Sequence, residues 1–196
     1  MSNTSAIRGF RPVGTISGAP WTASVKKFYH SGTLGTPAQV GVGDIVCIDN
    51  EAYDADGVPG INHASTSGVL LGVVVSKVPS ISKLDGASSV YCTSTENCYF
   101  NVCCDPNAIY EVQESTAMAL TANAYNCTFL SANPSTTTGY STQELDIGSP
   151  NTTSTLPIKV LGWAQRPDNA VGSAYQKVLV KLNNTLWGGL GATGLT

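Results

Sequence analysis

Hydrophobic and polar residues alternate with a period of two over much of the chain, in short runs rich in Val, Ile, Tyr and Cys that are separated by Gly, Pro, Asn and Asp. A period of two puts every second side chain on one face of a strand, whereas a helix repeats its apolar positions every three to four residues. The pattern predicts strands over 44–49, 60–64, 69–77, 88–93, 98–105, 108–113, 125–130, 158–164 and 176–183. In the last of these, Val178, Val180 and Leu182 alternate with Lys177, Leu179 and Lys181, as a sheet with one covered face requires. Cys98, Phe100, Val102 and Cys104 share a face by the same count, which points both thiols inward. Asp54-Ala55-Asp56-Gly57, Asp105-Pro106-Asn107 and Arg166-Pro167-Asp168-Asn169 supply turn chemistry between strands. A single short helix is predicted over 115–124, behind a Ser cap. The expected fold is all-β, a jelly-roll-like sandwich or a β-barrel.

The two ends lack this rhythm. Across 1–27 the apolar residues Ile7, Phe10, Val13, Ile16 and Trp21 are isolated and irregularly spaced. Such a segment reads as an extended arm, able to span about 3.3 Å per residue. Residues 185–196 are apolar yet Gly-rich, too flexible to fold alone and too hydrophobic for a solvated tail. The chain thus divides into an N-terminal arm over 1–27, a β core over 28–184 and a C-terminal tail over 185–196. Apolar side chains without a local core are explained by insertion into a neighbour's surface, with arginines hydrogen-bonding around them. That reading assigns partner binding to Ile7, Arg8, Phe10, Arg11, Val13 and Trp21 in the arm and to Leu186, Trp187 and Leu190 in the tail.

Composition sharpens this. Charged residues make up 12% of the 196, against about 25% in an ordinary soluble domain, while the hydrophobic fraction is an unremarkable 42%. Ser, Thr, Asn and Gly stand where charges are missing, which suits a surface covered by neighbours in a homo-oligomer or a larger lattice. The net charge of -3 and the scattered basic residues argue against a nucleic-acid partner. No apolar run approaches the length of a membrane span, and the N-terminal residues lack a signal-peptide pattern, so the chain is expected to be made in the cytoplasm without a membrane partner.

The search for reaction chemistry meets plainer explanations at each point. The six cysteines form no C-x-x-C pair, and His30 and His63 lie far from them in sequence. Structural zinc and a disulfide are the alternatives to the favoured reading, small buried hydrophobes. Residues 189–194 fit G-x-G-x-x-G without the strand and helix that a dinucleotide site needs. Asp54-Ala55-Asp56-Gly57 resembles the start of a calcium loop, but no Glu closes it. A Ser-His-Asp triad would have to use His30 or His63, both better read as structural. Tyr91, Tyr99, Tyr110, Tyr140, Trp163 and Trp187, taken as exposed, could stack on sugars or anchor an interface. The reading is a non-enzyme with no cofactor and no metal.

Three stretches carry a family likeness: Ser5-Ala6-Ile7-Arg8-Gly9-Phe10-Arg11-Pro12-Val13-Gly14, Asp105-Pro106-Asn107-Ala108-Ile109-Tyr110-Glu111-Val112-Gln113, and Leu161-Gly162-Trp163-Ala164-Gln165-Arg166-Pro167-Asp168-Asn169. They resemble segments of small virion proteins of tailed bacteriophages, the capsid decoration or cement proteins that sit outside the major capsid shell. The resemblance implies a structural virion protein on the outer capsid surface. Its partner would be the major capsid protein, whose subunits it bridges, and it would carry no catalytic residue. Closed symmetry makes a homotrimer the first expectation and a dimer the second. The rival reading from another class is a carbohydrate-binding module of a host-surface adhesin, and the third is a hydrolase with a carboxylate site.

Overall fold

The computed structural model describes residues 3–32, 39–79, 90–189 and 191. The chain is all-β, and its strands form two main bodies. A six-stranded antiparallel sheet has the order β1-β9-β13-β12-β10-β11, from β1 (Arg11–Thr15), β9 (Ala108–Gln113), β13 (Lys177–Leu182), β12 (Ile158–Trp163), β10 (Asn126–Leu130) and β11 (Glu144–Asn151). A closed barrel runs β2-β5-β4-β6-β8, from β2 (Val25–His30), β5 (Pro59–His63), β4 (Ile45–Tyr53), β6 (Gly72–Lys77) and β8 (Cys98–Cys103). The short strands β3 (Val40–Gly41) and β7 (Tyr91–Cys92) pair with each other.

Two apolar cores explain the sequence pattern. The barrel interior holds Phe28, Val46, Ile61, Val74, Phe100 and Val102. The second core lies between barrel and sheet, where Ile45, Val73 and Cys103 meet Tyr110, Phe129, Val160 and Val180. Ile45 and Val46, or Val73 and Val74, are adjacent in sequence and point to opposite faces, yet both members of each pair are buried. A strand covered on both faces reads as a continuous apolar run, which is why 69–77 lacks clean alternation. In the six-stranded sheet only one face is covered, so β13 buries Val178, Val180 and Leu182 and leaves Lys177, Leu179 and Lys181 partly exposed, as predicted.

All nine predicted runs overlap observed strands, although 88–93 contracts to Tyr91–Cys92, with 88–89 outside the described residues. Strands β1, β2, β3 and β11 carry no period-two signal. Strand β1 reads Arg-Pro-Val-Gly-Thr and β11 contains Gly148 and Pro150; both lie at sheet edges, where a missing N–H is tolerated. The helix predicted over 115–124 is replaced by a loop with one 3-10 turn at Leu120–Ala122. Ten residues are too few for an independent helix, and here the Glu114 carboxylate accepts the Met118 N–H at 3.0 Å while Met118 and Ala122 drop into the core.

The expected arm over 1–27 is corrected most strongly. Instead of reaching outward, β1 pairs with β9, with Arg11 opposite Glu111, and β2 begins at Val25 as a barrel strand. Phe10, assigned to a partner's surface, is 1% exposed and packs edge-on against Phe129 at 6.0 Å. Irregular spacing had hidden it, because Phe10 fills the seam between the two bodies and belongs to no single strand face. The tail is also partly docked. The Leu186 N–H donates to the Leu70 carbonyl at 2.8 Å, and Trp187 lies 6.4 Å from Phe28 with the Lys26 ammonium 4.5 Å from its ring. Leu190 and residues 192–196 lie outside the described residues.

Of the six aromatics taken as exposed, Tyr110 is fully buried, its hydroxyl donating to the Cys103 carbonyl at 3.3 Å. Cys98 is buried as the face count required, but it is bonded to Cys92 and is no free thiol. Cys103, Cys104 and Cys127 fit the buried-hydrophobe reading, and burial pushes the thiols of Cys104 and Cys127 up to about 12.

Because Phe10 anchors the seam, Phe10→Ala is expected to lower the unfolding free energy by about 3–5 kcal/mol in urea denaturation, the cost of a buried Phe cavity. Removal of 1–25 should abolish cooperative unfolding; a truncated chain that melts like the full one would show that β1 is dispensable.

Candidate functional site: a cleft at the seam

The cleft begins with two glycines. Gly9 and Gly43 hold φ of +67° and +96°, and a Cβ on either would collide with the other segment's main chain. Their close approach lets the Phe10 N–H donate to the Gly43 carbonyl at 2.9 Å, while the Gly43 N–H reaches the Val74 carbonyl at 2.8 Å. Ser141 adds a third strand of chain, its N–H donating to Val42 O at 2.9 Å. This junction ties the N-terminal segment, the barrel and the 139–143 segment together.

Beside it opens a cleft of about 550 Å³ lined by Arg8, Phe10, Arg11, Val13, Trp21 and Tyr140, with Val42, Val74 and Val75 from the barrel side. The Arg8 guanidinium sits 5.3 Å from the centre of the Tyr140 ring, which holds the cation over the mouth. Val13 is 45% exposed, so the cleft presents apolar surface to solvent. A second, more polar hollow of about 450 Å³ lies across the same arginines, lined also by Glu111, Gln113, Arg166, Asp168 and Lys177. There Arg166 Nη1 contacts Glu111 Oε2 at 2.7 Å and Arg166 Nε contacts Asp168 Oδ1 at 3.0 Å. Partial burial lowers the Lys177 pKa from its ordinary value. Arg8 and Arg11 thus form a cationic ridge between an apolar cleft and an ion-paired hollow.

The nine partner-binding residues read from sequence divide accordingly. Arg8, Phe10, Arg11, Val13 and Trp21 converge on the cleft, with Phe10 as its floor. Ile7, 36% exposed, neighbours Arg8 in the chain without lining it. Leu186 and Trp187, about half exposed, sit on the barrel beside β2 and line neither hollow. Sequence reasoning missed Val42, Val74 and Val75 as lining residues, because the cleft forms where segments distant in sequence meet and local spacing carries no mark of that.

Groups with catalytic potential are engaged structurally. His63 Nδ1 lies 3.2 Å from Ser131 Oγ, and His63 Nε2 lies 3.0 Å from Gln143 Nε2 and 3.8 Å from Asp44 Oδ1. Gln143 Oε1 already accepts the Ile45 N–H, so its amide nitrogen faces His63 and must donate. His63 Nε2 is then the acceptor and Nδ1 carries the proton toward Ser131, the reverse of a base that takes a proton from serine. Asp54 confirms the turn reading: its Oδ1 accepts the Asp56 and Val58 N–H groups, and its Oδ2 accepts the Tyr99 hydroxyl at 2.7 Å. That bond lowers the Asp54 pKa and, with partial desolvation, raises Tyr99 to about 12.

Glu114 is the most perturbed carboxylate. It is fully buried beside neutral groups, accepting from Gln176 Nε2 at 2.9 Å and from the Met118 N–H, and burial raises its pKa to about 7. No helix among the described residues is long and apolar enough to cross a membrane. No family model matches the chain, and no curated protein and no solved structure matches it either.

Glu114 sets a pH dependence of stability. Its folded pKa of about 7 exceeds the ordinary 4.5, so the folded state keeps a proton that the unfolded state releases between those values. Stability is therefore greatest below the unfolded pKa and falls as pH rises through the folded one. Urea titrations from pH 4.5 to 8 should show this loss, on the order of 1–3 kcal/mol, and Glu114→Gln should flatten the slope relative to the unaltered chain. Parallel slopes would place the proton elsewhere.

Proposed function

We propose that this chain is a structural binding protein that attaches to the outside of a tailed-phage capsid and stiffens it as a decoration protein, bridging subunits of the major capsid protein. The observation that carries this reading is the convergence of Arg8, Arg11, Val13 and Trp21 on one apolar cleft with a cationic ridge. All three stretches that resemble decoration proteins contribute to its surroundings. The first supplies Arg8 to Val13, the second Glu111 and Gln113 of the adjoining hollow, and the third Arg166 and Asp168 of the same hollow. Low charge over the whole chain supports the same reading, since a surface packed against a lattice loses little hydration on docking.

The cleft suits a loop or extended segment that offers an apolar side chain and a carboxylate. The apolar group would enter between Val13, Trp21 and Val75, and the carboxylate would pair with Arg8 or Arg11. Such a site needs only modest affinity, because a homotrimer on a local three-fold axis engages several copies at once. Bound copies then stabilise the assembled state by mass action.

The test is co-sedimentation with capsids stripped of the protein, taken from the phage that encodes it. Arg8→Glu combined with Val13→Glu alters exposed positions, so the fold should melt unchanged while capsid occupancy falls roughly tenfold or more. Unchanged decoration by this variant would overturn the cleft as the binding site. Absence of decoration by the unaltered chain, with retention on immobilised glycans, would favour the carbohydrate-binding adhesin reading instead.

A further inference from the structure

The barrel end near the Cys92–Cys98 bond brings together a second set of groups. Cys92 belongs to β7, Cys98 opens β8, and the bond closes the short loop between them with a Cα–Cα distance of 6.2 Å. Glu96 lies in the connecting turn, and the Cys92 sulfur, the Cys98 sulfur and a Glu96 carboxylate oxygen all fall within 4.8 Å of one another. His30 stands directly opposite Cys98 in the β2–β8 register, and both residues are buried. Residues facing each other across antiparallel strands project to the same side, with Cβ atoms about 5 Å apart.

The state of His30 is informative. Its Nδ1 is 3.0 Å from the Ile61 carbonyl, which can only accept, so Nδ1 carries the proton. Nε2 is then a bare lone pair, buried and without a partner. An unsatisfied buried acceptor is costly, and a histidine whose Nδ1–H is fixed by a carbonyl is in the tautomer that binds metal through Nε2. Burial keeps the ring neutral, lowering its pKa from the ordinary value.

We propose that this cluster is a redox-controlled zinc site, with Cys92, Cys98, Glu96 and His30 as its ligands when the disulfide is open. In the oxidised chain the two sulfurs are bonded to each other and no site exists. A dithiol reductant opens the bond by exchange: its two thiols become a disulfide, and Cys92 and Cys98 each gain a proton. A zinc ion then displaces those two protons and is held by two thiolates, one carboxylate and one imidazole. Tetrahedral zinc ligands stand about 3–4 Å apart, so the two sulfurs move apart once their bond opens, the Glu96 oxygen, within 4.8 Å of both, closes by roughly an ångström, and His30 enters from across the β2–β8 register. Reducing conditions in a cell that makes the chain favour the metal-bound form, and oxidising surroundings outside it favour the disulfide.

The experiment uses the full chain reduced with a phosphine, which takes up oxygen from water as the disulfide becomes two thiols. Zinc added in competition with a chromophoric chelator should bind at one ion per chain. Cobalt(II) in its place should give an intense visible spectrum of four-coordinate type with a thiolate charge-transfer band. Cys98→Ser should abolish tight binding. Glu96→Gln, in a partly exposed turn, and His30→Asn should each weaken it roughly tenfold or more. The oxidised chain should bind none. A pale, six-coordinate cobalt spectrum, equal zinc binding by Cys98→Ser, or unchanged affinity in both Glu96→Gln and His30→Asn would each overturn the site. The cobalt spectrum of the unaltered chain decides the matter even where the His30 variant does not fold.

Discussion

The close approach of Gly9 to Gly43 is the constraint on which the rest of the molecule depends. It brings the main chain of an N-terminal segment within hydrogen-bonding distance of the loop that enters β4, with no room for a Cβ on either side. Phe10 is thereby placed between barrel and sheet, and β1 is set in register on β9. The same junction fixes Arg8 over Tyr140 and leaves the apolar cleft open beside it. The proposed binding surface and the structural seam are products of one backbone contact, so the residues proposed to meet a partner are held by the fold rather than ordered at the moment of docking.

The barrel serves two cores. Its inward residues fill the interior, and Ile45, Val73 and Cys103 face outward to the sheet. A five-stranded barrel has a narrow interior that side chains fill completely, so additional apolar burial must come from its outer wall. The sheet supplies the cover for that wall, and in return the wall covers the single apolar face of the sheet.

Buried polar groups make specific hydrogen bonds within each body and, at Gln143, between them. Gln143, just before β11, accepts the Ile45 N–H of β4 and donates to His63 of β5. Asp44 accepts the Gly41 N–H at 2.7 Å. Glu114 links the end of β9 to Met118 and Gln176. Each of these would be costly if unpaired, and the Gln143 bonds, which join the segment before β11 to β4 and β5, narrow the relative placement of barrel and sheet beyond what apolar packing alone specifies.

The sequence by itself determined the all-β class, nine of the strands and the faces within them. The alternation of Val178, Val180 and Leu182 with two lysines is a local property of a sheet with one dry face, and the turn at Asp54 follows from hydrogen bonds within five residues. It also singled out Arg8, Arg11, Val13 and Trp21 as unusual. What it could not reach was where they go, because an isolated Phe10 in a seam and an isolated Phe in a partner leave the same mark on the chain. Edge strands with Pro12 or Pro150 hide for a related reason: they need only one hydrogen-bonded neighbour and so carry a weak local signal. Tertiary structure alone decided that His30 stands across from the Cys92–Cys98 bond, since register between β2 and β8 joins residues 68 apart by long-range pairing, to which no local spacing rule applies.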